Sequence, residues 1–152
     1  MTDYDVIVVG GGPAGSMAAE AAAKQGARTI MLEKDRDIGY PVRCGEGVGA
    51  FGLKKFIEPD PAWIATTISK VRMRSPDNTL IDFGMDDAGF ILHRRLFDYA
   101  LANQASQAGV EIQTRAYVDG LIIEDDCVRG VKYQYMGEHK QLTAKLVIAA
   151  DG

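Results

Sequence analysis

Residues 5–34 read DVIVVGGGPAGSMAAEAAAKQGARTIMLEK, and the change of residue type along them spells strand, turn, helix and strand. Residues 6–9 are an unbroken β-branched run, the pattern of a strand buried on both faces, and Gly10 ends it. Pro13 then falls in the first helical turn, where its missing N–H is of no consequence and its fixed φ suits a helix start. Ala18, Ala19, Ala22 and Ala23 give that helix a face of small side chains, and Gly26 is placed to end it as a left-handed cap. Residues 29–32 form a second buried strand, closed by Glu33.

The glycines at 10, 12 and 15 make a GxGxxG pattern in the setting that gives it meaning: a strand before it, a helix after it, and an acid about 20 residues on. Gly10 permits the tight turn, Gly12 lets the backbone approach a pyrophosphate, and Gly15 allows close contact of helix and strand. The helix start supplies free N–H groups and a partial positive charge for the phosphates. Glu33 can accept hydrogen bonds from both hydroxyls of an adenosine ribose, while its charge opposes a 2′-phosphate. The glycines alone would equally suit a ligand-free turn; with Glu33 and the flanking pattern they point to a dinucleotide other than NADP. NAD and FAD are not separated by this motif.

Composition narrows the class. The chain has 152 residues, 47% of them apolar, and a formal net charge of -4, which is a globular profile long enough to bury a core. Nucleic acid is excluded as a first expectation because an acidic chain offers no basic face to track phosphates. No apolar run reaches the roughly 20 residues of a membrane-spanning helix, and no basic-then-apolar leader opens the chain, so a cytoplasmic location is expected, with room for peripheral contact with a membrane. Cys44 and Cys127 fit neither a CxxC pair nor a zinc spacing, so no disulfide framework and no metal site are expected. His93 and His139 read as solvent-facing loop residues.

Beyond Glu33 the simple alternation stops. Residues 35–50 read as a loop, and residues 71–75 and 80–83 as a hairpin around Pro76-Asp77-Asn78. A helix is predicted over 95–108, with Phe97, Ala100, Leu101, Ala105 and Ala108 on one face and Gly109 at its end. Residues 110–114 rejoin a parallel sheet. Residues 120–123, 128–135 and 141–145 read as a meander turning at Asp125-Asp126 and Gly137-Glu138, and residues 146–150 as a separate, last buried strand. Within the first loop, PVRCGEGVG at 41–49 sets the cation of Arg43, the thiol of Cys44 and the acid of Glu46 among three glycines.

Five stretches, VGGGPAG at 9–15, PVRCGEGV at 41–48, PDPAWI at 59–64, HRRLFDYALANQASQAG at 93–109 and LVIAADG at 146–152, together resemble the FAD-dependent geranylgeranyl reductases. These belong to the wider group of flavoproteins related to p-hydroxybenzoate hydroxylase. The first and last stretches are common to that group, and PVRCGEGV is closest to the archaeal reductases of prenyl lipids. The resemblance implies an α/β fold: a Rossmann-like FAD-binding domain of the p-hydroxybenzoate hydroxylase type with parallel sheet, helices and β-meander. It also implies that residues 1–152 are the N-terminal FAD-binding portion, with a small β insertion at about 68–92 toward the substrate domain. The C-terminal half with the substrate tunnel is then expected to lie outside this chain, which alone would be inactive.

The cofactor implied is FAD, and the activity is saturation of C=C bonds in geranylgeranyl chains of archaeal-type membrane glycerophospholipids, driven by an external electron donor. Carried over residue by residue, the cofactor contacts are Gly10, Gly12, Ala14, Gly15, Glu33, Lys34, Arg43, Cys44, Gly45, Gly47, Arg94, Val118 (through its backbone, at the adenine) and Asp151. Cys44 and Glu46 are the candidate catalytic residues. A cation such as Arg43 beside a thiol favours its reactive thiolate form. The residues alone leave Cys44 open as a small buried filler and Glu46 as a loop acid facing water. Arg94 and Arg95 face the positive end of a helix dipole and call for an anion, which a pyrophosphate would supply; the alternative is a surface pair of Arg94 with Asp98 at i, i+4. Two other activities suit the same fold, a flavin-dependent aromatic monooxygenase and a flavin electron carrier or redox sensor without an organic substrate.

Overall fold

The structure is a computed structural model that describes residues 2–152, the side chains of 83 and 85–87 excepted. In chain order the elements are β1 (Tyr4–Val9), α1 (Pro13–Lys24), β2 (Thr29–Leu32), β3 (Gly47–Gly49), α2 (Ala50–Leu53), β4 (Ile64–Arg74) and β5 (Leu80–Leu92). They continue with α3 (Arg94–Gln107), β6 (Glu111–Gln113), β7 (Ala116–Glu124), β8 (Cys127–Tyr135) and β9 (Glu138–Ala149). Two compact units result: Met1–Pro41 with Asp98–Gly152, and Val42–Phe97.

The first unit is built on a six-stranded sheet of order β6-β2-β1-β9-β8-β7. β1 pairs in parallel with β2 and β9, and β2 with β6, whereas β7, β8 and β9 run antiparallel. The apolar run of β1 follows from burial on both faces. Val6 and Val8 join Met31, Ala19 of α1 and Ala102 and Ala105 of α3 in one cluster. Ile7 points the other way, with Ile30 and Leu32, into Ala116, Val131, Tyr133 and Ala144 of the meander. Strand periodicity of two sends alternate residues to opposite faces, so both faces must be apolar. Each fully buried aliphatic side chain contributes roughly 1.5–3 kcal/mol. Small alanines on α1 and α3 let the helices lie close to the sheet. Tyr4 donates its hydroxyl to Glu111 Oε2 at 2.5 Å, tying β1 to β6 across β2; burial, reinforced by that carboxylate, pushes its phenol up to about 12.

Three expectations change here. Residues 141–145 and 146–150 are not separate strands but parts of β9, a strand of 12 residues. Its first half pairs antiparallel with β8 and its second half parallel with β1, so one strand joins the meander to the parallel sheet. The polar Lys145 hid this continuity: in β9 it is an exposed residue ion-paired with Asp5 at 2.6 Å. The end of β9 is also less buried than its apolar sequence suggested, since Leu146 is 52% exposed. The β7–β8 hairpin turns at Asp125 and Asp126, both with positive φ (50° and 58°), as a two-residue turn of matching twist requires. The β8–β9 turn falls at Met136-Gly137, one residue earlier than expected, with φ of 52° and 84°.

The second unit holds a three-stranded antiparallel sheet of order β3-β5-β4. The predicted hairpin is present and longer than its sequence signals, with strands of 11 and 13 residues. Irregularities at Ile64/Thr66 and Ile68/Lys70 let the pairing run on past the breaks in alternation. The tip closes through Asn78 N–H to Ser75 O at 2.9 Å and Ser75 N–H to Thr79 O at 3.0 Å. The stretch expected as loop 35–50 is in part regular, because it contains β3 and leads into α2. Trp63 and Phe97, 3% and 6% exposed, meet edge to face with centroids 4.9 Å apart, a pairing worth about 0.5–1.5 kcal/mol beyond burial. Helix α3 starts one residue before the predicted 95 and ends one before 108.

Candidate functional site

The turn from β1 into α1 carries the densest set of predicted residues. At Gly10, φ is +103°, and a Cβ would lie 2.4 Å from the Ala150 carbonyl oxygen. At Gly15 a Cβ would lie 1.9 Å from the Gly10 carbonyl oxygen. These two glycines are therefore required by the protein's own backbone. Gly12 differs: nothing lies within 4 Å of its missing Cβ, so no contact inside the chain explains a glycine there. Gly12 is the N-cap of α1 and has no side chain to bond the first N–H groups, which leaves the positive helix end available to an anion. Ser16, fully buried, donates its hydroxyl to Gly11 O at 3.2 Å and fixes the turn from behind. Ala14 is exposed in the first helical turn, and Lys34 and Asp151 are exposed as well. The Asp151 backbone runs beside Gly10, with its Cα 3.0 Å from the missing Cβ.

Glu33, half-buried at the end of β2, holds this turn through both carboxylate oxygens. Oε2 accepts the Gly11 N–H at 2.6 Å and Oε1 accepts the Asp35 N–H at 2.8 Å. Each oxygen retains a second lone pair for a further donor. Gly11 belongs to the site although the sequence reading passed over it: a Cβ there would stand 3.1 Å from Glu33 Oε2. The unbroken run of three glycines at 10–12 was the available signal. Val118 sits on β7 opposite Tyr133, its side chain packed on the core, leaving its backbone as the part a ligand could meet.

The second unit carries the other group. Arg43, Cys44 and Gly45 are exposed, and Cys44 is a free thiol. In this chain Cys44 is therefore exposed rather than a buried filler. Gly47 opens β3 opposite Ile91, with its missing Cβ at an ordinary 3.7 Å from Ile91 Cδ1. Glu46 is half-buried and does not simply face water. Its Oε1 accepts the N–H of Arg94, the first residue of α3, at 3.3 Å, and its carbonyl accepts the Leu92 N–H at 2.9 Å. The anion that Arg94 and Arg95 call for at the start of α3 is thus available within the chain. Asp98, expected as a surface partner in the alternative, is 3% exposed. His93 and His139 are exposed.

The structure gathers Gly10, Gly12, Ala14, Gly15, Glu33, Lys34, Val118 and Asp151 in the first unit, and Arg43, Cys44, Gly45, Glu46, Gly47 and Arg94 in the second. An uncapped helix start, an unfilled space at Gly12 and a half-exposed carboxylate at Glu33 fit the pyrophosphate and ribose of a dinucleotide such as FAD. Among the described residues, no helix is long and apolar enough to cross a membrane.

Comparison with known proteins gives the same direction. The model of the FAD dependent oxidoreductase family matches residues 5–152. Digeranylgeranylglycerophospholipid reductase 2 of Methanococcoides burtonii is 46% identical over 98% of this chain and 38% of its own length. Digeranylgeranylglycerophospholipid reductase of Methanocella arvoryzae is 46% identical over 99% of this chain and 40% of its own. A crystal structure of a geranylgeranyl bacteriochlorophyll reductase-like protein from Thermoplasma acidophilum superposes with a TM-score of 0.91 at 41% identity, covering 98% of this chain and 39% of that one. The chain thus spans about two fifths of the length of the relatives it matches.

Proposed function

Because the chain belongs to the FAD dependent oxidoreductase family, we propose that it is the FAD-binding part of a reductase that saturates C=C bonds of geranylgeranyl chains on archaeal-type glycerophospholipids. The observation that carries this reading is the 46% identity, over nearly the whole chain, to a digeranylgeranylglycerophospholipid reductase. That relationship favours the reductase over the aromatic monooxygenase and the electron carrier. The N–H groups at the start of α1 hold the pyrophosphate, Gly12 leaves it room, and Glu33 accepts the ribose hydroxyls. Ala14, Lys34, Val118 and Asp151 border the same ligand. Arg43, Gly45, Gly47 and Arg94 are proposed as further FAD contacts.

When bound and reduced, FAD supplies a hydride to one carbon of the double bond. The other carbon needs a proton, and the exposed Cys44 thiol is the group proposed to hold it. The electrons come from an external donor. The same proposal puts the protein in the cytoplasm with peripheral access to membrane lipid.

The test is single-turnover reoxidation of the reduced intact protein by a geranylgeranyl glycerophospholipid, which isolates chemistry from substrate and product exchange. The parent should reoxidise with loss of a lipid double bond by mass spectrometry, and Cys44→Ser should slow that step by about tenfold or more, as loss of a proton-transfer group does. Cys127→Ser, on an exposed hairpin, serves as the control and should keep the parent rate. Absence of lipid reduction by the parent defeats the reading. Glu33→Ala should weaken FAD binding by about 1–3 kcal/mol, the range for hydrogen bonds to a charged group, read as a higher dissociation constant by fluorescence titration.

A further inference from the structure

We infer that Glu46 is a positioning residue: it fastens the Cys44 loop to the end of β5 and the start of α3, and it does so as a hydrogen-bond acceptor. Three groups of this one residue are engaged in different directions. Its N–H donates to Cys44 Sγ at 3.4 Å, its carbonyl accepts from Leu92 at 2.9 Å, and its carboxylate accepts from Arg94 N–H at 3.3 Å. Its φ of +62° lies in the left-handed region, which a side-chain-bearing residue occupies only where its surroundings over-determine it. Two of the three bonds supply that determination. With the carbonyl tied to the last residue of β5 and the carboxylate to the first of α3, the peptide N–H of Glu46 is left aimed at the sulfur. A negative side chain at a helix start is favoured by the helix dipole, so this conformation needs no ligand to hold it. A glycine at 46 would enter the same φ freely but would give up the carboxylate anchor.

The consequence for function rests on the reductase reading, in which Cys44 meets the flavin and the double bond. A proton donor must be held within hydrogen-bond reach of its target, and Glu46 adds to the β3 pairing a second tie between the thiol's loop and the β5–α3 junction. This role differs from that of an acid that itself donates a proton, and the two are separable by substitution. Glutamine keeps an acceptor oxygen in the same place without an exchangeable acid. Alanine removes the acceptor, and aspartate keeps the charge but draws it back by one methylene.

The experiment uses the intact FAD-loaded protein in a Cys127→Ser background, so that Cys44 is the cysteine followed among those of this chain. Labelling of Cys44 by dithionitrobenzoate at pH 7 is timed for the parent, Glu46→Gln, Glu46→Ala and Glu46→Asp, with the labelled residue identified by peptide mass. A thiol no longer held by the Glu46 N–H loses its fixed position, so its labelling rate should depart from that of the parent. Glu46→Ala and Glu46→Asp should label at rates that differ from the parent's by about fivefold or more, and Glu46→Gln should stay within about twofold of the parent. Single-turnover lipid reduction should follow the same order. Parent-like labelling of Glu46→Ala overturns the proposal. Equal loss of lipid reduction in Glu46→Gln and Glu46→Ala overturns it too, in favour of a proton-donating acid. If the labelling order holds while the parent reduces no geranylgeranyl lipid, the positioning role stands and the reductase reading is what fails.

Discussion

Gly15→Ala is expected to destabilise the first unit by about 3 kcal/mol or more, at the upper end of the range for overpacked sites. The added Cβ would stand 1.9 Å from the Gly10 carbonyl oxygen. The oxygen is a backbone atom and the position of the Cβ is fixed by the backbone, so no rotamer change relieves the overlap. Relief requires α1 to move away from the β1 turn, and the close fit of Ala19 on Val6, Val8 and Met31 resists that movement. A denaturant midpoint well below that of the parent, with an unchanged slope, is the expected measurement. FAD affinity should fall in parallel, because the turn that positions the N–H groups is displaced. An unaltered midpoint would show that the helix and turn do not meet as described.

Gly12→Val should produce the opposite separation. Among the described residues beyond its chain neighbours, nothing lies within 4 Å of where its Cβ would stand, so the denaturant midpoint should stay close to that of the parent. That same space is where the pyrophosphate is proposed to approach the start of α1. Filling it should lower FAD affinity by about 100-fold, roughly 2.7 kcal/mol at 1.4 kcal/mol per tenfold. Equilibrium titration of the apoprotein with FAD reads the change. Wild-type affinity in Gly12→Val would place the phosphates elsewhere and remove the turn from the cofactor site. The pair of variants thus distinguishes a glycine that the fold needs from one that the ligand needs, although both occupy the same short motif.

The GxGxxG turn with its acid was legible in sequence because all of its parts are local. A buried strand, a helix start and a second strand lie within 30 residues, and each is announced by its own residue types: β-branched residues 6–9, Pro13, the alanines, Glu33. The family was legible for the same reason, since its motifs are short contiguous runs. Gly11 was missed because its requirement comes from Glu33, 22 positions away. β9 was read as two strands because apolar periodicity breaks at Lys145, and the reason for the break is an ion pair with Asp5 on another strand. The cations at the start of α3 were legible as a demand for an anion, but a carboxylate that meets this helix start lies 48 residues earlier, at Glu46.

By itself, then, the sequence determined the α/β class, the strand–turn–helix–strand start of the parallel core, the turn that suits a dinucleotide and the membership of a flavoprotein family. Those properties depend on periodicity and on neighbouring residues, which a linear chain displays directly. Only the tertiary structure decided that Cys44 faces outward, that Glu46 anchors the loop that bears it, that one strand carries both the meander and the parallel sheet, and that Gly12 alone of the three motif glycines stands free of the chain's own atoms. Each of these depends on which distant backbone groups meet. Burial and hydrogen-bond partnership arise only once separate segments have been brought together.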